Sequence, residues 1–384
     1  HPIVRRYAYD RLGGAEREAA HGQLRDYFAA VPPPERVQTL EDLAPVIELY
    51  HHTVRAGQYD EARELLRDRL VPVPLYFQLG AYQLQIELLR VLFPDGEDQP
   101  PRLKDESAQA WTLAALANSY SLSGEPRRAV PLFEQHNAIY EKRGDKVNLA
   151  IGLGNLACMA QIHIGALRAA EANLRRRIEL GREIEDEFKE AAGHQELGRL
   201  LAYRGLWDEA EEELAAALEM FEKQGHVQAQ GVTWAYRALC ALLLARTQPQ
   251  PPVPISNIQY PILAARRALE LADETARTRY PGPRDYVRAY WLLGAANRAN
   301  AVGATGRSPL HEAGAAPLQE ADRHLTEALT RCRRINMVDH EAYILLDLAR
   351  LRRDQARRGE RPFTQEPLRL AQEALIITER SGYV

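Results

Sequence analysis

Apolar and small residues recur every three or four positions near the middle of the chain, and a glycine interrupts them once. Leu197, Gly198 and Leu201 form the first run, Gly205 breaks it, and Ala210 opens the second run. A spacing of three and four is the period of an amphipathic helix, and glycine commonly follows a helix end. The pattern predicts helix, turn and helix, with small residues where two antiparallel helices approach closely.

The same pattern recurs at a fixed distance along the chain. Ala129, Ala170 and Ala210 occupy the same place in three second helices, so successive copies are separated by 41 and 40 residues. A fixed period of about 40 residues is typical of an α-solenoid. Similar units precede and follow these three, and we count about seven helix pairs on this template. The sequence therefore predicts an all-α fold.

The later units are longer than the earlier ones. Their extra residues lie at 247–259, 302–317 and 358–367, in each case between the first and the second helix of a pair. All three insertions would project from the same rim of the array. Insertions on one face often mark a binding or docking face, although solvent-exposed loops that vary freely would give the same pattern.

Composition and charge narrow the classes of partner. The net charge is −4, and 44 of the 49 basic residues are Arg because the chain has five Lys. No global basic field would attract phosphate backbones, so nucleic acid is not an expected partner. No apolar run reaches the length of about 18 residues that a membrane span needs. Three dispersed Cys indicate neither disulfides nor a zinc cluster, and we expect a cytoplasmic protein without membrane contact.

The sequence contains no complete motif of the common kinds that carry catalysis or bind cofactors. "HEAGA" and "HEAYI" lack the second His of a zinc-binding H-E-x-x-H helix, and His51 and His52 would point about 100° apart on a helix. The chain has no phosphate-binding G-x-x-x-x-G-K-[ST] loop. We expect no enzyme activity, no catalytic residue, no metal and no cofactor.

These repeated features resemble the tetratricopeptide repeat in a long variant. The resemblance rests on the Leu116-Ala117 and Leu197-Gly198 pairs, the Tyr120 that follows, the turn glycine, and the Ala of the second helix. It implies a right-handed solenoid of antiparallel pairs. It also implies a concave groove, lined by the first helices, that receives an extended or helical peptide.

Groove residues follow from placing each unit on the repeat. Asn118, Arg199 and Arg350 fall at equivalent groove-facing positions. With their neighbours they form the candidate ligand groove, which comprises Asn118, Asn155, Gln195, Arg199, Tyr203, Arg237, Arg350 and Arg353. Amides could bond to a peptide backbone, and Arg could clamp carboxylates. Ordinary solvated polar residues are the alternative interpretation.

The beginning of the chain differs from the repeats. "HPIVRRY", the strap "PPPERVQTL" and the first unit "YHHTVRAGQYDEA" resemble the junction in STAND-class (NB-ARC/NACHT-like) signalling NTPases. The resemblance implies a helical junction at 1–44, the tail of a winged-helix or NTPase module. A first repeat with an irregular linker follows at 45–110, and a repeat solenoid at 111–384. The chain starts without Met, and we expect a piece of a longer polypeptide.

The expected function follows from the repeats and this resemblance. It is a non-enzymatic sensor and scaffold that recognises a protein or peptide trigger, formed by the C-terminal repeat region of an NLR-like STAND NTPase in bacterial antiviral defence or stress signalling. The NTPase domain, which would lie outside this chain, would be its intramolecular partner. The alternative is the sensor region of a large bacterial transcriptional regulator.

Overall fold

The computed structural model of the chain describes residue 7 and residues 9–71, 73–247, 255–279, 282–304 and 315–383. Across these ranges the regular structure is helical, and no strand occurs in them. The prediction of an all-α fold is confirmed.

Sixteen α-helices within the described ranges are numbered here in chain order. They are α1 Gly14–Ala29, α2 Ala44–Arg55, α3 Tyr59–Leu65, α4 Tyr82–Arg90, α5 Glu106–Leu122, α6 Pro126–Arg143, α7 Lys146–Asn155, α8 Leu167–Glu183, α9 Glu187–Tyr203, α10 Trp207–Lys223, α11 Val227–Thr247, α12 Ile255–Thr278, α13 Pro283–Ala304, α14 Ala315–Arg334, α15 Val338–Arg357 and α16 Glu366–Ser381. A π-helical turn, Leu156–Gln161, continues α7.

Helices pair in sequence order, as the repeat predicts. In the described part of the chain the pairs are α2 with α3 and then, without interruption, α5 with α6 through α15 with α16, which makes seven. The solenoid of about seven helix pairs is therefore confirmed. Of the predicted insertions, 358–365 connects α15 to α16, whereas residues 248–254 and 305–314 lie outside the described residues.

The small residues that define the period are the ones that let the helices of a pair approach. Ala170 and Ala210 are completely buried. A Cβ on Gly198 of α9 would lie 2.6 Å from Leu214 Cγ of α10, a distance that real Cβ atoms do not tolerate. At the turn between these helices, Gly205 has φ +76, a conformation that glycine adopts without steric cost.

The chain divides into two compact units. Unit 1 comprises residues 1–120 and 131–139, and unit 2 comprises residues 121–130 and 140–384. In unit 1 the hydroxyl of the fully buried Tyr50 donates a hydrogen bond to the Leu88 carbonyl at 2.6 Å. The helix α1 contacts α2 through His21 and His52, whose Nδ1 atoms are 2.9 Å apart. The boundaries expected at 44/45 and 110/111 stay predictions.

Unit 2 is held by a run of buried Ala and Leu side chains between successive helices, including Leu214 and Leu325. Its C-terminal end contacts its first turns. A Cβ on Gly124 would lie 2.8 Å from Ser381 Oγ, and the rings of His163 and Tyr383 have centroids 5.4 Å apart. The last residues of unit 2 therefore pack against the turns that follow α5 and α7.

Candidate ligand-binding site

A polar cavity of about 320 Å³ lies among the first helices of unit 2. The last turn of α5 and the helices α7, α9, α11, α13 and α15 all contribute to its wall, so six successive pairs converge on it. Its volume is at the small end of the range of ligand pockets in proteins. We call the residues around this cavity the inner wall.

Glu196 and Arg199 of α9 form the charged centre of the inner wall. They are three residues apart and so share one helix face, with Arg199 Nη2 2.7 Å from Glu196 Oε2. The Tyr236 hydroxyl donates to Glu196 Oε1 at 3.0 Å. Burial raises the pKa of Glu196, but Arg199, Tyr236 and the more distant Arg288 together lower it below its usual value. Glu196 is therefore ionised at neutral pH.

The Arg199 side chain is almost fully buried, with 7% exposed. Its guanidinium lies 5.1 Å from the centre of the Tyr236 ring, and its Nη2 is 3.5 Å from the Cys158 carbonyl. Its buried Nε has no hydrogen-bond partner. Burial also raises the pKa of the Cys158 thiol, so Cys158 lines the inner wall as a neutral thiol rather than as a nucleophilic thiolate.

Arg177 reaches the inner wall from a second helix, α8. It does so across Gly154 of α7, because a Cβ on that glycine would collide with the Arg177 guanidinium. The buried Arg177 Nε has no hydrogen-bond partner. Arg177 makes no salt bridge with any residue that the structure describes.

A second charged group lies where the first turn of α15 meets the inner wall. The Asp339 carboxylate is 2.9 Å from His340 Nδ1 and 3.7 Å from Arg284 Nη2. Burial raises the pKa of Asp339, but His340 and Arg284 outweigh it and lower that pKa well below its usual range. Burial lowers the pKa of His163 to about 4 and also lowers that of His340. Both imidazoles are therefore neutral at pH 7.

The charges of the inner wall do not cancel. Four guanidinium groups line it, from Arg177, Arg199, Arg284 and Arg288, together with two carboxylates. A third carboxylate, that of Asp285, pairs with Arg288 at 3.2 Å. With neutral imidazoles, four positive charges against three negative ones leave one positive charge. A net positive charge in the wall of a cavity favours a ligand of opposite sign.

Three of the eight sequence-predicted groove residues line the cavity, namely Asn155, Gln195 and Arg199. The Gln195 amide donates to Thr233 Oγ1 at 2.7 Å and to the Ala229 carbonyl at 2.9 Å, so it also holds α9 against α11.

Tyr203 ends α9 beside these residues. Its pKa is raised by burial and by the neighbouring Tyr343, so it carries a neutral hydroxyl.

The structure places the other four candidates differently. Arg237 lies over the Trp234 ring at 4.7 Å and pairs with Glu211 of the second helix α10. Arg350 pairs with Asp347 at 2.9 Å. Arg353 is exposed and pairs with Asp354 at 3.0 Å. Asn118 is half-buried in unit 1.

Sequence reasoning missed several residues of the inner wall. Arg177 lies on a second helix, whereas the repeat template predicts a groove that is lined by first helices. The one sequence signal for Arg177 is Gly154, because a residue without a side chain at that position leaves room for the Arg177 side chain to cross α7. Glu196 precedes Arg199 by three residues, a spacing that indicates an ion pair on one helix face. Arg284 and Asp339 carry no local signal, because they lie 55 residues apart in the chain and meet only in the fold.

A family model of known proteins matches one segment of the repeat array. Residues 112–147, which extend from α5 into α7, match the family model described as tetratricopeptide repeat. No curated protein matches the chain. A solved structure titled "Circular tandem repeat protein with novel repeat topology and enhanced subunit contact surfaces" is similar at 14% identity, over 89% of this chain and 90% of that one, with a TM-score of 0.25.

The chain thus contains a tetratricopeptide-like repeat region. Such repeats generally mediate protein–protein interactions, and their all-helical fold is typically a non-enzymatic scaffold. Within the described ranges no helix is both long and apolar enough to cross a membrane. The same ranges hold no group of three or more His, Cys, Asp or Glu side chains suited to a metal ion.

Proposed function

We propose that this chain is a non-enzymatic sensor and scaffold that recognises a protein or peptide through the inner wall of unit 2. The observation that carries the proposal is the convergence of six successive first helices on one polar cavity. A binding surface assembled from several repeats holds its ligand only when the repeats keep their relative positions. Ligand binding in the wall would then be coupled to the arrangement of the whole unit.

The chemistry of the wall supports recognition rather than catalysis. Its Cys158 is a neutral thiol, its two imidazoles are neutral, and Glu196 is held by Arg199 and Tyr236. Groups that are fixed in pairs provide charge and hydrogen bonds of defined direction. A nucleophile or a general base needs a pKa that brings it into its reactive form near neutral pH.

The proposed setting is the C-terminal region of a STAND-class NTPase in bacterial antiviral defence or stress signalling. Its support is the resemblance of "HPIVRRY", "PPPERVQTL" and "YHHTVRAGQYDEA" to the junction of such proteins, together with the irregular segment between α3 and α5 that precedes the regular pairs. In this setting unit 2 receives the trigger, and the NTPase domain of the full-length protein is the intramolecular partner.

The recognition role is tested by selecting peptides from a random displayed library on the full chain. Asn155 lines the cavity, and a change of Asn155 to Tyr fills it, whereas Arg175 is half-exposed on α8 and gives the matched control Arg175→Tyr. Selected peptides should bind the control as they bind the parent chain and lose about tenfold or more in affinity for Asn155→Tyr. Equal binding by both variants, or no selected peptide, would contradict the proposal.

The setting is tested separately by the residues upstream of residue 1. A phosphate-binding loop together with a TIR, protease or nuclease module would support defence signalling. A helix-turn-helix in that region would instead favour the transcriptional regulator and contradict the proposed setting.

A further inference from the structure

Arg177 is placed in the inner wall at some cost in local structure. Its side chain crosses α7 over Gly154, where a Cβ would displace the guanidinium, and glycine in a helix interior is about 0.5–1 kcal/mol less favourable than alanine. Arg175, two residues earlier on the same helix, pairs with Glu171 at 2.9 Å. Arg177 has no such counter-ion among the described residues, and its Nε is buried without a partner.

The surroundings of Arg177 are cationic. Arg177 is close enough to act electrostatically on Glu196 and Cys158, and Arg199 and Arg288 act on the same carboxylate. The Nε atoms of Arg177, Arg199, Arg284 and Arg288 are buried without a hydrogen-bond partner, and so are Glu196 Oε2 and Asp339 Oδ1. Buried polar groups in native proteins are nearly always paired, and exceptions call for a ligand or another explanation. These four Nε donors outnumber the two carboxylate oxygens, and Arg177 is the one of these four arginines without a salt bridge among the described residues, so the wall can accept one more oxyanion.

We infer that Arg177, with Arg199 and Arg288, forms a subsite for an oxyanion, a carboxylate or a phosphate, carried by the bound ligand. The planar guanidinium presents paired N–H donors that match the geometry of both groups. The inference rests on the proposed function and names the chemical group that unit 2 recognises, namely an acidic or phosphorylated position of a protein or peptide.

The subsite predicts that Arg177 contributes to binding and not to folding. When an arginine of a buried ion pair is replaced, its carboxylate partner is left as an unpaired buried charge. That loss is strongly destabilising. Arg177 has no such partner, so its removal takes away an unpaired charge. The change Arg177→Met should therefore leave the melting temperature unchanged or raise it. The same change at Arg175 serves as the control.

The experiment titrates the full chain with sodium phosphate and, separately, with glutarate, at constant ionic strength set with sodium chloride, and follows the melting temperature. At least one anion should produce a saturable increase in the parent chain and in Arg175→Met. Arg177→Met should raise the apparent Kd for the anion about tenfold or more, because it removes a charge-assisted hydrogen bond. Gly154→Ala keeps the charge but displaces the guanidinium, and it should also weaken binding.

The two anions distinguish the source of the oxyanion. A response to glutarate alone indicates an acidic side chain or chain end, and a response to phosphate alone indicates a phosphorylated residue. Non-specific salt effects would shift all variants equally. An equal response of Arg177→Met and Arg175→Met, or no saturable response in the parent chain, would overturn the subsite. If selected peptides still bind in that case, the proposed function stands without it.

Discussion

Helices α9 and α10 approach so closely at Gly198 that a larger residue at this position should destabilise the fold. In Gly198→Ala the new Cβ would lie 2.6 Å from Leu214 Cγ, 2.9 Å from Leu214 Cδ2 and 3.0 Å from the Ala210 carbonyl oxygen. Leu214 and Ala210 are completely buried, and the carbonyl oxygen belongs to the helix backbone, so neither neighbour can move aside freely.

Two effects of opposite sign set the magnitude. Overpacking a buried contact costs about 1–3 kcal/mol, whereas replacing glycine by alanine in a helix gains about 0.5–1 kcal/mol. We expect the net effect of Gly198→Ala to be a loss of about 0–2.5 kcal/mol in the free energy of unfolding. The control is Gly22→Ala in α1, where no neighbouring atom lies within 4 Å of the added Cβ. That variant should be stabilised by about 0.5–1 kcal/mol.

The assay is equilibrium unfolding in urea, followed by circular dichroism at 222 nm, a wavelength that reports helix content. The reasoning would be refuted if Gly198→Ala were stabilised as much as Gly22→Ala, because α9 and α10 would then not approach as closely as the structure shows.

Three further predictions concern charge and protonation. The pKa values of His21 and His52 lie below the usual 6.5, chiefly because of burial, so the unfolded chain takes up protons first as the pH falls. The contribution of these two residues to the free energy of unfolding should be fully present above pH 6.5 and decline below it. Urea midpoints measured at several pH values should fall less in His21→Gln than in the parent chain. Asp347→Asn removes the carboxylate that pairs with Arg246 at 2.8 Å. It should cost about 1–3 kcal/mol, since Arg246 stays partly hydrated; an unchanged urea midpoint would contradict this. Because burial raises the pKa of Cys158, thiol reagents at pH 8 should label it far more slowly than free cysteine, and labelling at the free rate would show an exposed thiolate.

The repeat could be predicted from the sequence because its determinants are local. A small residue such as Ala210 faces its own pair, and the turn glycine follows within one helix length, so spacing alone reveals both. The buried Ala170 and Ala210 and the left-handed Gly205 bear this out.

The candidate site was less predictable because its contacts are distant in the sequence. Tyr236 donates to Glu196 across 40 positions of the sequence, and Arg284 meets Asp339 across 55. The groove assignment of Arg350 rests on repeat position alone and stays a prediction; in the structure its guanidinium pairs with Asp347. Arg177 was not predicted because it lies on a second helix, and the repeat template predicts that second helices pack against first helices rather than line the groove.

Recognition through the inner wall of unit 2 is the central claim, and photo-crosslinking of a selected peptide tests it most directly. A photoreactive phenylalanine derivative is incorporated at position 155, on the cavity, or at position 175, on the half-exposed face of α8. The account predicts that the peptide is crosslinked from position 155 and not from position 175. Crosslinking from position 175 alone would place the binding surface on the second helices and contradict the account.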